Sequence, residues 1–137
     1  MFRLDEFNLI FDLIEKKEKI SSQTKLASYR KEYGLHPDYL FLMSKYLILD
    51  QRYYQSIDTL FLSLKINCDE FFLIKNNFEA SSDKITLLKF NLISHLFKLI
   101  DNKELSLEAN SIKTFSDQKK FINKLSKLMP GVKLKKT

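Results

Sequence analysis

The most constraining feature of the sequence is a stretch of regularly spaced apolar residues between positions 83 and 102. Leucine and isoleucine recur there every three or four residues, at Ile85, Leu88, Leu92, Leu96 and Leu99. That spacing places the side chains on one face of an α-helix, whereas a half-buried strand would need strict alternation. The 137 residues include only 2 Gly and 2 Pro, so few residues interrupt such helices elsewhere. We therefore predict an all-α fold.

Similar spacing recurs along most of the chain. It predicts helices at about 4–18, 22–34, 37–49, 53–66, 69–79, 83–102 and 117–129. Pro37 suits a first helical turn, where its missing N–H has no intrahelical partner, and Gly34 suits the end of the preceding helix. Ser116 is the expected N-cap of the last helix. Residues 103–114 fit either a loop or a short helix.

Taken in order, these helices predict three stacked antiparallel hairpins followed by a C-terminal amphipathic helix that caps the stack. The third hairpin would pair 69–79 with 83–102. A chain of this length can bury roughly two-thirds of its unfolded surface, so we expect one helical domain at 1–131. Residues 132–137 are then a short basic tail with nothing obvious to fold against.

The central hairpin, residues 37–69, resembles a tetratricopeptide repeat. The fixed offsets of that repeat carry Leu40, Met43, Ser44, Leu47, Ser56, Leu60 and Cys68. Ser44 and Ser56 stand where the family has glycine and alanine, and Cys68 stands where it has proline, so the match is in side-chain size more than in identity. The resemblance implies hairpins that bury their apolar faces on their neighbours. Only the central hairpin carries the pattern.

By the same resemblance, the first helix of this hairpin would line a groove. The groove positions fall on Asp38, Phe41, Lys45, Ile48 and Leu49. Such a groove would accept an apolar peptide or helix, with the two charges fixing its register. The alternative is that these side chains pack against the first and third hairpins instead.

The chain also resembles, in size and plan, the small tetratricopeptide-like cytoplasmic chaperones of bacterial type III secretion systems. That resemblance implies a protein partner, whose hydrophobic segment is held in the groove before secretion. A scaffold or adaptor fits the same pattern. The expected function is therefore a protein-binding helical module, of unknown oligomeric state.

The distribution of charge suggests a different class of partner. The net charge is +6, and all of it lies from Asp117 onward, in Lys119, Lys120, Lys124, Lys127, Lys133, Lys135 and Lys136. The alternative function is thus non-specific binding of nucleic acid or an anionic surface, which would weaken as salt rises. No arginine follows Arg52, so base-specific contacts are not expected there.

Catalytic and metal-binding patterns are scarce. The two histidines, His36 and His95, do not have the spacing of a zinc motif. A metal site that combines them with Cys68 is geometrically possible, but no sequence motif supports it. With 2 Gly there is no glycine-rich phosphate loop. We expect no enzyme activity, no cofactor and no metal. No secretory signal, internal disulfide or membrane-spanning run is visible, so a cytoplasmic location is expected.

Overall fold

The structure is a computed structural model that describes residues 2–130. Over that range the chain consists of helices and their connections, without strands, which confirms the all-α fold. The helices are α1 (Phe2–Glu15), α2 (Lys19–Tyr33), α3 (Pro37–Ile48), α4 (Tyr53–Asn67), α5 (Glu70–Lys75), α6 (Asp83–Leu99), α7 (Lys103–Asn110) and α8 (Phe115–Ser126). The predicted basic tail, 132–137, lies outside the described residues.

Three antiparallel pairs form the body of the molecule: α1 with α2, α3 with α4, and α6 with α7. The first helices of successive pairs contact each other, α1 with α3 and α3 with α6. The second helix of each pair also contacts the first helix of the next, α2 with α3 and α4 with α6. The pairs are therefore stacked in chain order, while α5 and α8 both pack against α4.

The third pair differs from the prediction, which joined 69–79 to 83–102. Within 69–79 the helix spans only Glu70–Lys75, the short α5, which packs beside α4. Helix α6 pairs instead with α7, which lies in the region 103–114 that fitted either a loop or a short helix. Asn102 caps α7 through a bond from the Leu105 backbone N–H, and Leu105 and Ala109 are buried one turn apart. Only two of the buried residues of α7 are apolar, which is too few to give a clear periodic signal in the sequence.

The turns inside the three pairs have the same geometry. Lys17, Gln51 and Asp101 each adopt left-handed φ angles, 60°, 58° and 63°. The next residue donates its N–H back across the turn, Glu18 to Leu13 O (3.0 Å), Arg52 to Leu47 O (3.2 Å) and Asn102 to Phe97 O (2.8 Å). This is the Schellman type of helix ending, which satisfies carbonyls that the helix leaves free.

The buried serines repeat with the turns. Ser22, Ser56 and Ser106 each lie five residues after the left-handed residue, and all are buried. Ser56 is hydrogen bonded to Ser44 across its pair, with 2.8 Å between the hydroxyls, and Ser106 to Ser94 with 3.0 Å. Small side chains at both positions let the two helix backbones approach closely.

The start of the last helix is one correction to the predicted caps. Thr114, rather than Ser116, accepts the N–H of Asp117 at 3.0 Å, and the Asp117 carboxylate accepts the Thr114 N–H at 3.3 Å. This reciprocal pair is a capping box. Hydrogen bonds from Thr114 and Lys113 hold the pKa of Asp117 below its usual value. Phe121, Ile122 and Leu125 form the buried face of α8.

Candidate binding cleft

Two of the five predicted groove residues lie in the core. Phe41 is 2% exposed and its ring lies 6.0 Å from that of Phe7 and 6.3 Å from that of Phe11. Asp38 is 3% exposed. Helix α1 covers Phe41, whereas Asp38 is buried against Ser81 in the segment before α6, so neither residue lines an open groove. Both side chains therefore pack against neighbouring parts of the fold, which was the alternative to lining a groove.

The other three predicted groove residues are half-buried at the far end of α3. Lys45 pairs with Glu15 and lies 4.7 Å above the ring of Phe11, so its charge is already matched within the chain. Ile48 and Leu49 pack at the edge of the hydrophobic core. Of the three, Lys45 joins α3 to α1 through these contacts.

Asp38 belongs to a buried chain of polar groups. Ser81 donates to Asp38 Oδ1 at 2.5 Å, and Lys89 Nζ donates to Ser81 Oγ at 2.7 Å. Lys89 is fully buried, and desolvation lowers its pKa from 10.5 to about 8, opposed by the nearby Asp38 carboxylate. The Asp38 N–H donates to His36 Nδ1 at 3.0 Å, so the buried His36 caps α3. These bonds link α3 and α6 through the segment that follows α5.

Open surface is found instead between α2 and α3. A cleft of about 760 Å³ there is lined by Gln23, Leu26, Ala27, Arg30 and Lys31 from α2, Tyr39, Met43 and Tyr46 from α3, and Asp50 and Arg52 from the following turn. Its floor combines two buried residues, Leu26 and Tyr39, with the half-buried Met43 and Tyr46. A concave surface that combines apolar and aromatic side chains with polar groups around them is typical of ligand sites.

The charges around this cleft are unequal. Asp50 is paired with Lys19 at 2.6 Å, and that contact raises the pKa of the lysine. Arg30, Lys31 and Arg52 form no salt bridge with any residue in the described part of the chain. The cleft therefore presents three cations whose charges are not matched.

Sequence reasoning missed the cleft because it directed attention to the other side of α3. A signal did exist: two of the three arginines in the chain, Arg30 and Arg52, border it. The sequence does not show that Asp50 pairs with Lys19, because the two residues are 31 positions apart. Once Asp50 is paired with that lysine, the two arginines leave an excess of positive charge at the cleft.

A second cleft, of about 460 Å³, lies between α6 and α7. His95, Lys98, Lys103 and Leu107 line it, above the Ser94 and Ser106 pair. His95 therefore lies at an exposed helix face. No three histidine, cysteine or acidic side chains within 2–130 are grouped so as to hold a metal ion, so His36, Cys68 and His95 are not brought together. Burial raises the pKa of the Cys68 thiol.

The lysines of the alternative, anion-binding surface lie partly on α8. Lys124 binds Glu108 at 2.7 Å, and Lys119 lies 4.8 Å above the ring of Phe115. Lys120 and Lys127 are exposed. The remaining predicted lysines, Lys133, Lys135 and Lys136, lie outside the described residues. The exposed face of α8 thus carries a few lysines, while its opposite face packs into the core.

Comparison of the chain with models of known protein families, with curated proteins and with solved structures finds no match. Across residues 2–130, no helix combines the length and apolar character needed to cross a bilayer. Function therefore has to be inferred from the geometry of the chain itself.

Proposed function

We propose that the protein is a helical binding module that holds a segment of a partner protein in the α2–α3 cleft. The observation that carries this proposal is the cleft itself, about 760 Å³ in volume, with an apolar and aromatic floor and unmatched cations at its rim. Grooves between helices commonly accept peptides or helices through apolar anchors. The stacked hairpins provide a rigid frame for such a surface.

The tetratricopeptide-like interpretation belongs to this proposal. The left-handed residues of the first two turns are 34 residues apart, which is the length of one such repeat. The second and third are 50 apart, because the segment containing α5 is inserted between the second and third pairs. A cytoplasmic chaperone or adaptor, as in type III secretion systems, is the biological role that this architecture suggests.

The test is capture of a partner from the organism's own lysate, with one variant that fills the cleft. Ala27 is exposed and lines the cleft, so Ala27→Trp should obstruct it without disturbing the core. Leu107→Trp, at the exposed surface of the α6–α7 cleft, is the matched control. We expect the wild type and the control to retain the same partner, and Ala27→Trp to lose it.

Thermal unfolding of all three proteins should give closely similar midpoints, since both substitutions are at the surface. The proposal fails if the wild type retains no partner, or if Ala27→Trp retains the partner as well as the control does.

A further inference from the structure

The positions of the charged residues within the α2–α3 cleft say more about its ligand than its net charge does. Helices α2 and α3 are antiparallel, so Arg30 and Lys31 lie with Tyr39 at one end of the cleft. Arg52 lies at the other end, beside the Asp50 and Lys19 pair. Each end therefore has an excess of positive charge.

The middle of the cleft is apolar. Leu26, Ala27 and Met43 line it there, with Leu26 buried beneath the surface and Ala27 exposed. Methionine is unbranched and polarisable, so it adapts to side chains of different shape. A bound segment would thus find a cation, an apolar floor and a second cation along its length.

We propose that the cleft binds an acidic segment of a partner protein, with carboxylates near both ends and an apolar side chain between them. This inference rests on the proposed function and specifies its ligand. From Tyr39 to Asp50 the cleft follows 11 residues of chain, a length of about 16 Å along a helix. Roughly five residues of extended peptide, or three turns of helix, would span it.

The types of cation favour carboxylates of a protein over a nucleic acid backbone. Arginine presents a planar set of donors that can bind a carboxylate with two parallel hydrogen bonds. A nucleic acid strand would gain most from a continuous row of cations. The cleft instead has separated cations, with the Asp50 carboxylate at one end and an apolar centre between them.

The experiment measures the binding of a fluorescein-labelled synthetic peptide with glutamates at both ends and leucine and phenylalanine between them. The double variant Arg30→Glu/Arg52→Glu reverses one charge at each end of the cleft. The control, Lys98→Glu/Lys103→Glu, makes the same change in net charge at the α6–α7 cleft. All four positions are exposed, and circular dichroism checks that both variants remain helical.

We expect the cleft variant to bind the peptide ~10-fold or more weakly than wild type at a fixed salt concentration, and the control to stay within about twofold. A second peptide, with lysines in place of the glutamates, should not bind the wild type. The proposal is overturned if the glutamate peptide does not bind, or if both variants lose affinity equally.

A single-stranded oligonucleotide of matched length tests the competing class of ligand. If it binds the wild type more tightly than the peptide does, and loses binding in the cleft variant, the cleft is a nucleic acid site and the inference is wrong. If Ala27→Trp releases a captured partner that the double arginine variant retains, the partner-binding function stands and only its acidic ligand is rejected.

Discussion

At the scale of single residues, the least expected feature is the buried lysine. Lys89 lies within the apolar helix α6, and its ammonium group reaches Asp38 through the Ser81 hydroxyl. Removing two charges from water is unfavourable, and their attraction only partly offsets it. Ser81 is 43 positions from Asp38 and 8 from Lys89. We infer that these hydrogen bonds fix the position of the segment after α5 relative to α3 and α6.

The lowered pKa of Lys89 gives a prediction about stability and pH. Between pH 8 and 10.5 the lysine is neutral in the folded protein but still protonated when unfolded. The unfolded state then binds more protons, so the free energy of unfolding rises with pH across that window. Relative to Lys89→Met, the wild type should gain ~3 kcal/mol from pH 8 to 10.5.

Urea unfolding of both proteins at several pH values measures this difference, because the tyrosines and other lysines titrate in both. Well below pH 8, Lys89 is protonated in both the folded and the unfolded protein, so its titration should not change the difference in unfolding free energy between the two proteins. A difference that stays flat or falls above pH 8 would show that Lys89 is not desolvated in the folded protein.

Phe41 tests the assignment of the predicted groove to the core. Its ring is buried against Phe7 and Phe11, so truncation should leave a cavity. Phe41→Ala should lower the free energy of unfolding by ~3 to 5 kcal/mol, measured by denaturant unfolding. Leu107→Ala, at an exposed position, is the control and should change it by less than ~1 kcal/mol. A similarly small effect at Phe41 would restore the groove interpretation.

At the scale of helices and turns, the three pairs are variations on one unit. The second and third pairs have serines at both facing positions, and these hydroxyls satisfy each other. In the first pair the position equivalent to Ser44 is Ile10, which cannot hydrogen bond through its side chain. Ser22 is fully buried there and its hydroxyl has no partner in the described chain.

This contrast predicts opposite effects of one substitution in two pairs. Ser22→Ala removes an unsatisfied buried hydroxyl and should raise the free energy of unfolding by up to ~1 kcal/mol. Ser56→Ala removes the bonds to Ser44 and should lower it by ~1 to 2 kcal/mol. Denaturant unfolding of the two variants and the wild type measures these changes in the free energy of unfolding. Equal changes at both positions would contradict the prediction.

The helices themselves were largely predictable, whereas their partners were not. Period and capping residues placed α3 and α4 within about two residues, because both helices are long and apolar. The pairing of α6 with α7 was missed, since α7 contributes only a few buried side chains. Which neighbour covers Phe41, and which lysine is buried, depend on contacts between residues that are distant in the chain.

At the scale of the whole molecule, the rival to the cleft is the cationic C-terminus. Deleting 132–137 removes Lys133, Lys135 and Lys136. We expect the truncated protein to keep its helical circular dichroism signal and to bind duplex DNA more weakly. The slope of log affinity against log salt should fall by roughly 3 units if each lysine neutralises one phosphate. Unchanged DNA affinity would place any such binding on residues 1–131.

The most direct test of the account is a residue-resolved NMR titration of the full chain with the glutamate-ended peptide. We predict that backbone amide signals shift mainly at Ala27, Arg30, Met43 and Tyr46, around the α2–α3 cleft. Shifts concentrated at Lys119 and Lys120 on α8 and at Lys127 just after it, or no shifts at saturating peptide, would contradict the claim that the cleft is the binding site.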